Sequence, residues 1–307
     1  MQNKIQKVFK IIKNPLKIIP WLGGHGLLNW VPDEIYLKLV FKSSLGYWPN
    51  LKSPRTFNEK IQWLKLHDRN PLYTQLVDKY EVRKYIAETI GEKYLIPLLG
   101  VWDSFDEIDF DKLPNQFVLK CTHDSGGLVI CKDKSKFDIE VAKKKITRCL
   151  KCNYYCAFRE WPYKNVKPRI IAEKYMEDSG KVVPEDYKVY CFNGISRYVV
   201  VFHNRFAPGK ALSETVYDCD WNAQGISLDS HFQISDCLEP KPGCLEEMLR
   251  CAGELAKGKA QSRIDFYIVD GKLYFGEITL YTASGLQKMI PKSLDETLGS
   301  LIELGAL

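Results

Sequence analysis

Two carboxylates on neighbouring strands are the first residues whose spacing carries chemistry. In Arg263-Ile264-Asp265-Phe266, strand alternation sets Arg263 and Asp265 on one face. In Gly276-Glu277-Ile278-Thr279, it does the same for Glu277 and Thr279. The turn VDGK lies between the two acids, which predicts paired strands and neighbouring carboxylates. Two carboxylates in an apolar sheet repel unless a positive group sits between them. Mg²⁺ with a phosphate answers that need, because Mg²⁺ takes hard oxygen ligands and few protein groups. Arg263 neutralising the pair at a solvated sheet face is the plainer answer; the low polarity of the flanks favours the metal.

Three further segments have usable chemistry. FVLKCTHDSGG places Lys120 on a strand just before the tip Ser125-Gly126-Gly127. The strand would fix the ammonium, and the glycines would let backbone N–H groups approach phosphate oxygens. A lysine snorkelling above an ordinary hairpin gives the same pattern. Ile170 to Met176 reads as a strand ending in a connector, whose backbone could meet an adenine edge between apolar walls. Lys79 and Arg83, in DKYEVR, are i, i+4 and would share a helix face.

These segments must be positioned by a mixed framework. Residues 1–70 read as helical: DEIYLKLVFKSSLG ends near Gly46, and Thr56 with Glu59 forms a capping-box pattern before the apolar face of Ile61 and Leu64. One helix is expected over Tyr73 to Thr89, stopped by Gly91. FVLKCTHDSGGLVICKD reads as a hairpin with THDSGG at its tip. NGIS and VDGK are hairpin turns between runs rich in Ile, Val, Tyr and Phe. SKFDIEVAKKKITRCLKC, EEMLRCAGELAKGK and KSLDETLGSLIELGAL read as helices. The class is α+β with antiparallel hairpins rather than a βαβ alternation.

The 307 residues are 45% apolar and 27% charged, values of a globular chain of two domains or lobes. A net charge of +6 suits an anionic ligand but lacks the basic stripe of a nucleic-acid binder. Ten cysteines without a framework, and no secretory signal, predict reduced thiols and a cytoplasmic protein. Cys149, Cys152 and Cys156 have no matching partner pair, so a structural zinc is not expected there. No apolar run reaches membrane-spanning length. Ile5, Val8, Phe9, Ile12 and Leu16 recur at helical spacing among lysines. The plainer expectation is a helix packed on the protein; the alternative is an interfacial helix, residues 1–18, at the inner face of an anionic membrane.

The order of these motifs resembles the ATP-grasp fold, and more closely its TupA-like group, named for teichuronopeptide biosynthesis. The resemblance runs from Asn58 to Leu286 through DKYEVRKYI, GEKYLIPLLGVWDSFDEIDFDKLPNQFVLKCTHDSGG, EDYKVYCFNG, YDCDWN and LYFGEITLYTASG. It implies two α+β lobes holding Mg-ATP between them: a helical section at 1–70, a small lobe at 71–172 and a large lobe at 173–307. By the resemblance, Lys79 and Lys120 contact ATP phosphates under a mobile loop of Ser125, Gly126 and Gly127. Glu173, Lys174, Tyr175 and Met176 receive adenine, Asp186 the ribose, and Lys188 points towards phosphate. Arg263 assists at the transferred phosphate, while Asp265 and Glu277 bind Mg²⁺. Many ATP-grasp ligases have Asn where this chain has Thr279, a poorer metal ligand.

The implied activity is a carboxylate–amine ligase that works through an acyl phosphate, with ATP and Mg²⁺, on a uronic-acid-containing polysaccharide or its precursor. Lys120, Lys188 and Arg263 are its catalytic cations, and they localise part of the +6 at a triphosphate. His203, Asn204 and Arg205, with Tyr281, Thr282, Ser284 and Gly285, are the acceptor candidates, since arginine and hydroxyls suit an acidic sugar. His203 as a strand-end histidine bonded to backbone is the plain alternative. A sugar-nucleotide glycosyltransferase using Asp218-Cys219-Asp220, a sugar kinase on the same ATP site and a non-catalytic nucleotide-binding module are the competing functions.

Overall fold

The structure is a computed structural model, described for residues 15–177, 185–203, 209 and 211–305. Residues 1–14, most of the lysine-striped start, and Asn204 and Arg205, two of the acceptor candidates, lie outside the described residues. Among those described, no helix is long and apolar enough to cross a membrane.

Helices come first: α1 (Ile19–Gly24), α2 (Asp33–Leu45), α3 (Phe57–His67), α4 (Leu72–Val77) and α5 (Val82–Thr89). Helix α2 stops at Gly46, whose φ of 88° is left-handed. The expected capping box opens α3: the Glu59 N–H donates to Thr56 Oγ1 at 3.2 Å, and the Thr56 N–H to Glu59 Oε2 at 3.3 Å.

The helix expected over Tyr73 to Thr89 is two helices. Asp78 is extended (ψ 115°), and its Oδ1 accepts from the N–H groups of Tyr80 (2.8 Å) and Glu81 (3.2 Å). That side-chain turn outcompetes the helix ladder at this point. Lys79 therefore sits in the break, its N–H bonded to Thr122 O at 3.0 Å, and does not share a helix face with Arg83.

Strands β1 (Leu98–Trp102), β2 (Phe117–Cys121), β3 (Leu128–Cys131) and β4 (Ile170–Lys174) form an antiparallel sheet in the order β1-β4-β2-β3. Helix α6 (Ile139–Leu150) packs on it through Ile146, against Phe117, Leu119 and Ala172. The short α7 (Tyr155–Phe158) follows.

The second sheet holds β5 (Glu185–Phe192), β6 (Ile195–His203), β7 (Ser213–Tyr217), β8 (Gln233–Ile234), β9 (Gln261–Val269) and β10 (Lys272–Thr279). Its order is β10-β9-β5-β6-β7-β8, antiparallel except for β7 with β8. Helix α8 (Leu245–Ala256) covers it, burying Met248, Cys251, Ala252 and Leu255 on one stripe. Asn193-Gly194 and Asp270-Gly271 all have positive φ, as tight hairpin turns require. The expected C-terminal helix is only α9 (Leu294–Ser300).

Candidate active site

The paired acids meet as their strands demand. Asp265 on β9 is opposite both Glu277 on β10 and Lys188 on β5, and Arg263 is opposite Thr279. A register shift at Gly276 admits Glu277 to this face; a Cβ there would lie 3.0 Å from Asp265 O. Arg263 Nε donates to Asp265 Oδ1 at 2.6 Å, and its Nη2 to Asp265 Oδ2 at 2.8 Å and Glu277 Oε1 at 2.9 Å. Lys188 Nζ bonds Asp265 Oδ2 and lies 2.8 Å from Asp186 Oδ2. Thr279 Oγ1 donates to Glu277 Oε1 at 3.3 Å. Burial alone would raise the Asp265 carboxyl, but Arg263 and Lys188 outweigh it and hold it down at about 2.

Three carboxylates, Asp186, Asp265 and Glu277, gather around Lys188 and Arg263. Asp265 is closed off at 3% exposure, whereas Glu277 is open at 46%. Carboxylate oxygens have a second lone pair beyond the ones Arg263 occupies. A hard-oxygen cluster with one open acid fits Mg²⁺ carrying a phosphate.

The other wall comes from the first sheet. Lys120 on β2 donates to Glu173 Oε2 on β4 at 2.6 Å, and Arg83 Nη1 reaches Glu173 Oε1 at 3.2 Å. The carboxylate of Glu173 is thus engaged, and its backbone is paired with β1 and β2. Lys174 is exposed, with its N–H bonded to Pro97 O at 2.9 Å. Regular structure ends there, which leaves Tyr175, Met176 and Glu177 as the connector.

Lys79 Nζ bonds Asp124 O at the base of the glycine loop. Asp124 Oδ1 accepts the Gly127 N–H at 2.9 Å, and the Gly127 carbonyl accepts the Cys121 N–H at 2.7 Å. His123 Nε2 bridges Cys149 O (3.2 Å) and Cys152 O (3.1 Å), which ties the loop to the end of α6. Burial lowers its imidazole below the ordinary value.

A group the sequence reading missed joins the two walls. Ser125 lies within hydrogen-bonding reach of Tyr154, whose phenol is raised first by burial and then by the Glu160 and Glu277 carboxylates. Tyr163 is raised by the same causes in the same order. Glu160 is itself buried and raised, chiefly by desolvation, with Lys65 opposing. Lys65, 1% exposed, is lowered by burial to about 8.

Lys65 belongs to a clamp along one face of α3. Its Nζ donates to Ser284 O at 2.8 Å and Phe158 O at 3.1 Å. Gln62 Nε2 donates to Ser284 O and Gly285 O, both at 2.8 Å, and Asn58 holds the backbone of Gln287 in both directions at 2.9 Å. The loop they hold is left-handed at three successive residues, Ala283, Ser284 and Gly285 (φ 44°, 56° and 63°), a strain that needs such over-determination. N-x-x-x-Q-x-x-K, at i, i+4 and i+7, was the available signal: three polar residues on one helix face, beside the apolar face of Ile61 and Leu64.

The acceptor candidates fall in two places. Ser284 donates to Glu160, Gly285 packs on Ile61 and Gln62, and Thr282 and Tyr281 are buried beside them. His203, at the end of β6, faces Thr215 Oγ1 (3.0 Å) and Glu239 Oε1 (3.2 Å), not backbone. The Asp218-Cys219-Asp220 triplet is a turn. Asp218 accepts from the N–H groups of Asp220 (3.0 Å) and Asn222 (2.8 Å), and from the Gln224 amide at 3.0 Å.

The chain was compared with solved structures, curated proteins and protein families. Similar solved structures include a D-alanine–D-alanine ligase from Bacillus anthracis complexed with ATP (18% identity, 73% of this chain and 60% of that one, TM-score 0.42). Others are an L-amino acid ligase from Bacillus licheniformis (14%, 84% and 57%, TM-score 0.47) and a D-alanine–D-alanine ligase from Helicobacter pylori (14%, 80% and 69%, TM-score 0.41). This chain spans about three fifths of the length of the first two. No curated protein matches it. The TupA-like ATPgrasp family matches residues 59–303, from the α3 clamp to the end of the described fold, and this chain belongs to that family.

Proposed function

We propose that this protein is an ATP-dependent carboxylate–amine ligase. Its acceptor is a uronic-acid-containing surface or capsular polysaccharide, or the precursor of one, to which it attaches an amino acid or amine. The observation that carries the ligase reading is the Asp265–Glu277 pair on adjacent strands, bridged by Arg263, with Lys188 on Asp265. The sugar acid rests on the family to which the chain belongs.

ATP would lie between the walls, with adenine at the connector 175–177 and ribose near Asp186. Lys79, Lys120 and Lys188 would face the phosphates. Mg²⁺, held by Asp265 and Glu277, would neutralise phosphate oxygens. A carboxylate oxygen of the acceptor attacks the γ-phosphorus and ADP leaves; the amine nitrogen then attacks the acyl carbon, phosphate leaves, and the nitrogen loses a proton. Arg263 would offset charge on the transferred group. The Ser125-Gly126-Gly127 loop would keep water from the acyl phosphate. Because Asp218 is spent on its own turn, nothing in that triplet favours a nucleotide-sugar site.

The test is ADP release from the full chain with Mg-ATP, a uronate and an amine. Sustained turnover should need both the uronate and the amine, and fall at least about 100-fold in Lys120→Ala and Glu277→Ala. Undiminished release by both variants would overturn the assignment.

A further inference from the structure

His203, Cys237 and Glu239 form a second cluster, outside the residues assigned to ATP. Their ligand atoms all lie within 4.8 Å of one another. Glu239 Oε1 is 3.2 Å from His203 Nδ1 and 3.9 Å from Cys237 Sγ. Tetrahedral zinc, with bonds of about 2.0–2.3 Å, sets neighbouring donors roughly 3.3–3.8 Å apart. The two separations to Glu239 lie within about 0.1 Å of that range, and the third pair, His203 with Cys237, is within 4.8 Å.

The hydrogen bonds around the cluster decide which ring nitrogen is free. The Thr215 hydroxyl has one hydrogen and donates it to Cys237 O at 3.0 Å. Its oxygen must then accept from His203 Nε2–H, 3.0 Å away. This leaves the Nδ1 lone pair aimed at a carboxylate oxygen, which is repulsive unless something positive lies between them. A second proton would satisfy the histidine and the glutamate. The Cys237 thiol also donates towards that oxygen, and one zinc ion would take the place of both protons.

The backbone carrying the two other donors is fixed in advance. Tyr217 on β7 accepts the Glu239 N–H at 2.7 Å, and the Trp221 indole donates to Glu239 O at 2.9 Å. Trp221 stacks on Tyr217 at 4.1 Å, nearly parallel. Cys237 is held through its carbonyl by Thr215 and through its N–H by Ser235 Oγ at 3.1 Å. Thr215 and Tyr217 lie on one face of β7 and so hold both donors from the same side. Leu238, between them, turns outwards at 66% exposure. Such outer-shell hydrogen bonding to ligands is how proteins orient a metal site.

We propose that His203 Nδ1, the Cys237 thiolate and Glu239 bind one Zn²⁺, with a fourth position left for water, which pins the end of β6 to the segment after β8. Thiolate, imidazole and carboxylate together suit zinc better than magnesium. Binding would displace the thiol proton, so affinity should rise with pH.

The experiment uses the full chain, stripped with a chelator and titrated with Zn²⁺ alone against a chromophoric competitor. One equivalent should bind tightly, and His203→Ala and Cys237→Ser should each weaken it at least about 100-fold. Glu277→Gln should leave it unchanged, which separates this site from the proposed magnesium site. Co²⁺ in place of Zn²⁺ should give a thiolate charge-transfer band that Cys237→Ser abolishes. Absence of a saturable equivalent, or a band and affinity that survive Cys237→Ser, would overturn the proposal.

Discussion

Lys65 and Glu160 are worth more to the site than their distance in sequence suggests. Each is buried, and each is the other's main compensating charge. Lys65→Met should cost about 3–5 kcal/mol in urea unfolding, because it strands a buried carboxylate. Lys65→Met with Glu160→Gln should recover part of that cost; equal losses in the single and double variants would count against the pairing. Asp265 gives a pH signature. Its folded carboxyl, at about 2, is below the ordinary 3.8. The stabilisation it supplies is therefore complete above the unfolded value and is lost as pH falls from 3.8 through 2. Unfolding followed across that window should show a shallower acid slope in Asp265→Asn than in the native chain. The sequence made these acids legible, because strand alternation and one hairpin turn are enough to pair Asp265 with Glu277. It could not reveal Glu160, whose partners come from α3 and the loop after β10.

The glycine loop and the left-handed loop respond differently to added bulk. A Cβ on Gly126 would meet nothing within 4 Å, whereas one on Gly127 would lie 2.5 Å from Cys121 Sγ. Thermal melts should place Gly126→Ala within about 0.5 kcal/mol of the native chain and Gly127→Ala about 1–3 kcal/mol below it. If both were equally benign, the tip would not be seated on β2 as described. Gly285 combines a φ of +63° with a Cβ position 2.6 Å from Ile61 and Gln62, so Gly285→Ala should be worse still. Hairpin turns were readable at this scale because Asn-Gly and Asp-Gly encode their own backbone. The break at Asp78 was not, since the apolar period runs through it and the winning bonds come from a side chain and from Thr122.

At the scale of the molecule, the charge has to be redistributed. The site cations were expected to hold part of the +6 excess, yet Lys120, Lys188 and Arg263 are all matched by carboxylates. Lys79 alone of the four bonds a neutral carbonyl. A triphosphate would thus take over cations already committed to Glu173, Asp186, Asp265 and Glu277, and binding must loosen those pairs. The α+β plan of helices followed by two sheets was legible, because its strands and turns are local. The meeting of Ser125, Tyr154, Tyr163 and Glu160 was not, because it arises only through tertiary packing. The central claim is that a carboxylate of the acceptor takes the γ-phosphoryl group before the amine arrives. A uronate labelled with ¹⁸O in its carboxylate, incubated with Mg-ATP, an amine and the full chain, tests this most directly. The account predicts one labelled oxygen in the released phosphate for each amide formed; product formation with unlabelled phosphate, or phosphate retained on the sugar, would contradict it.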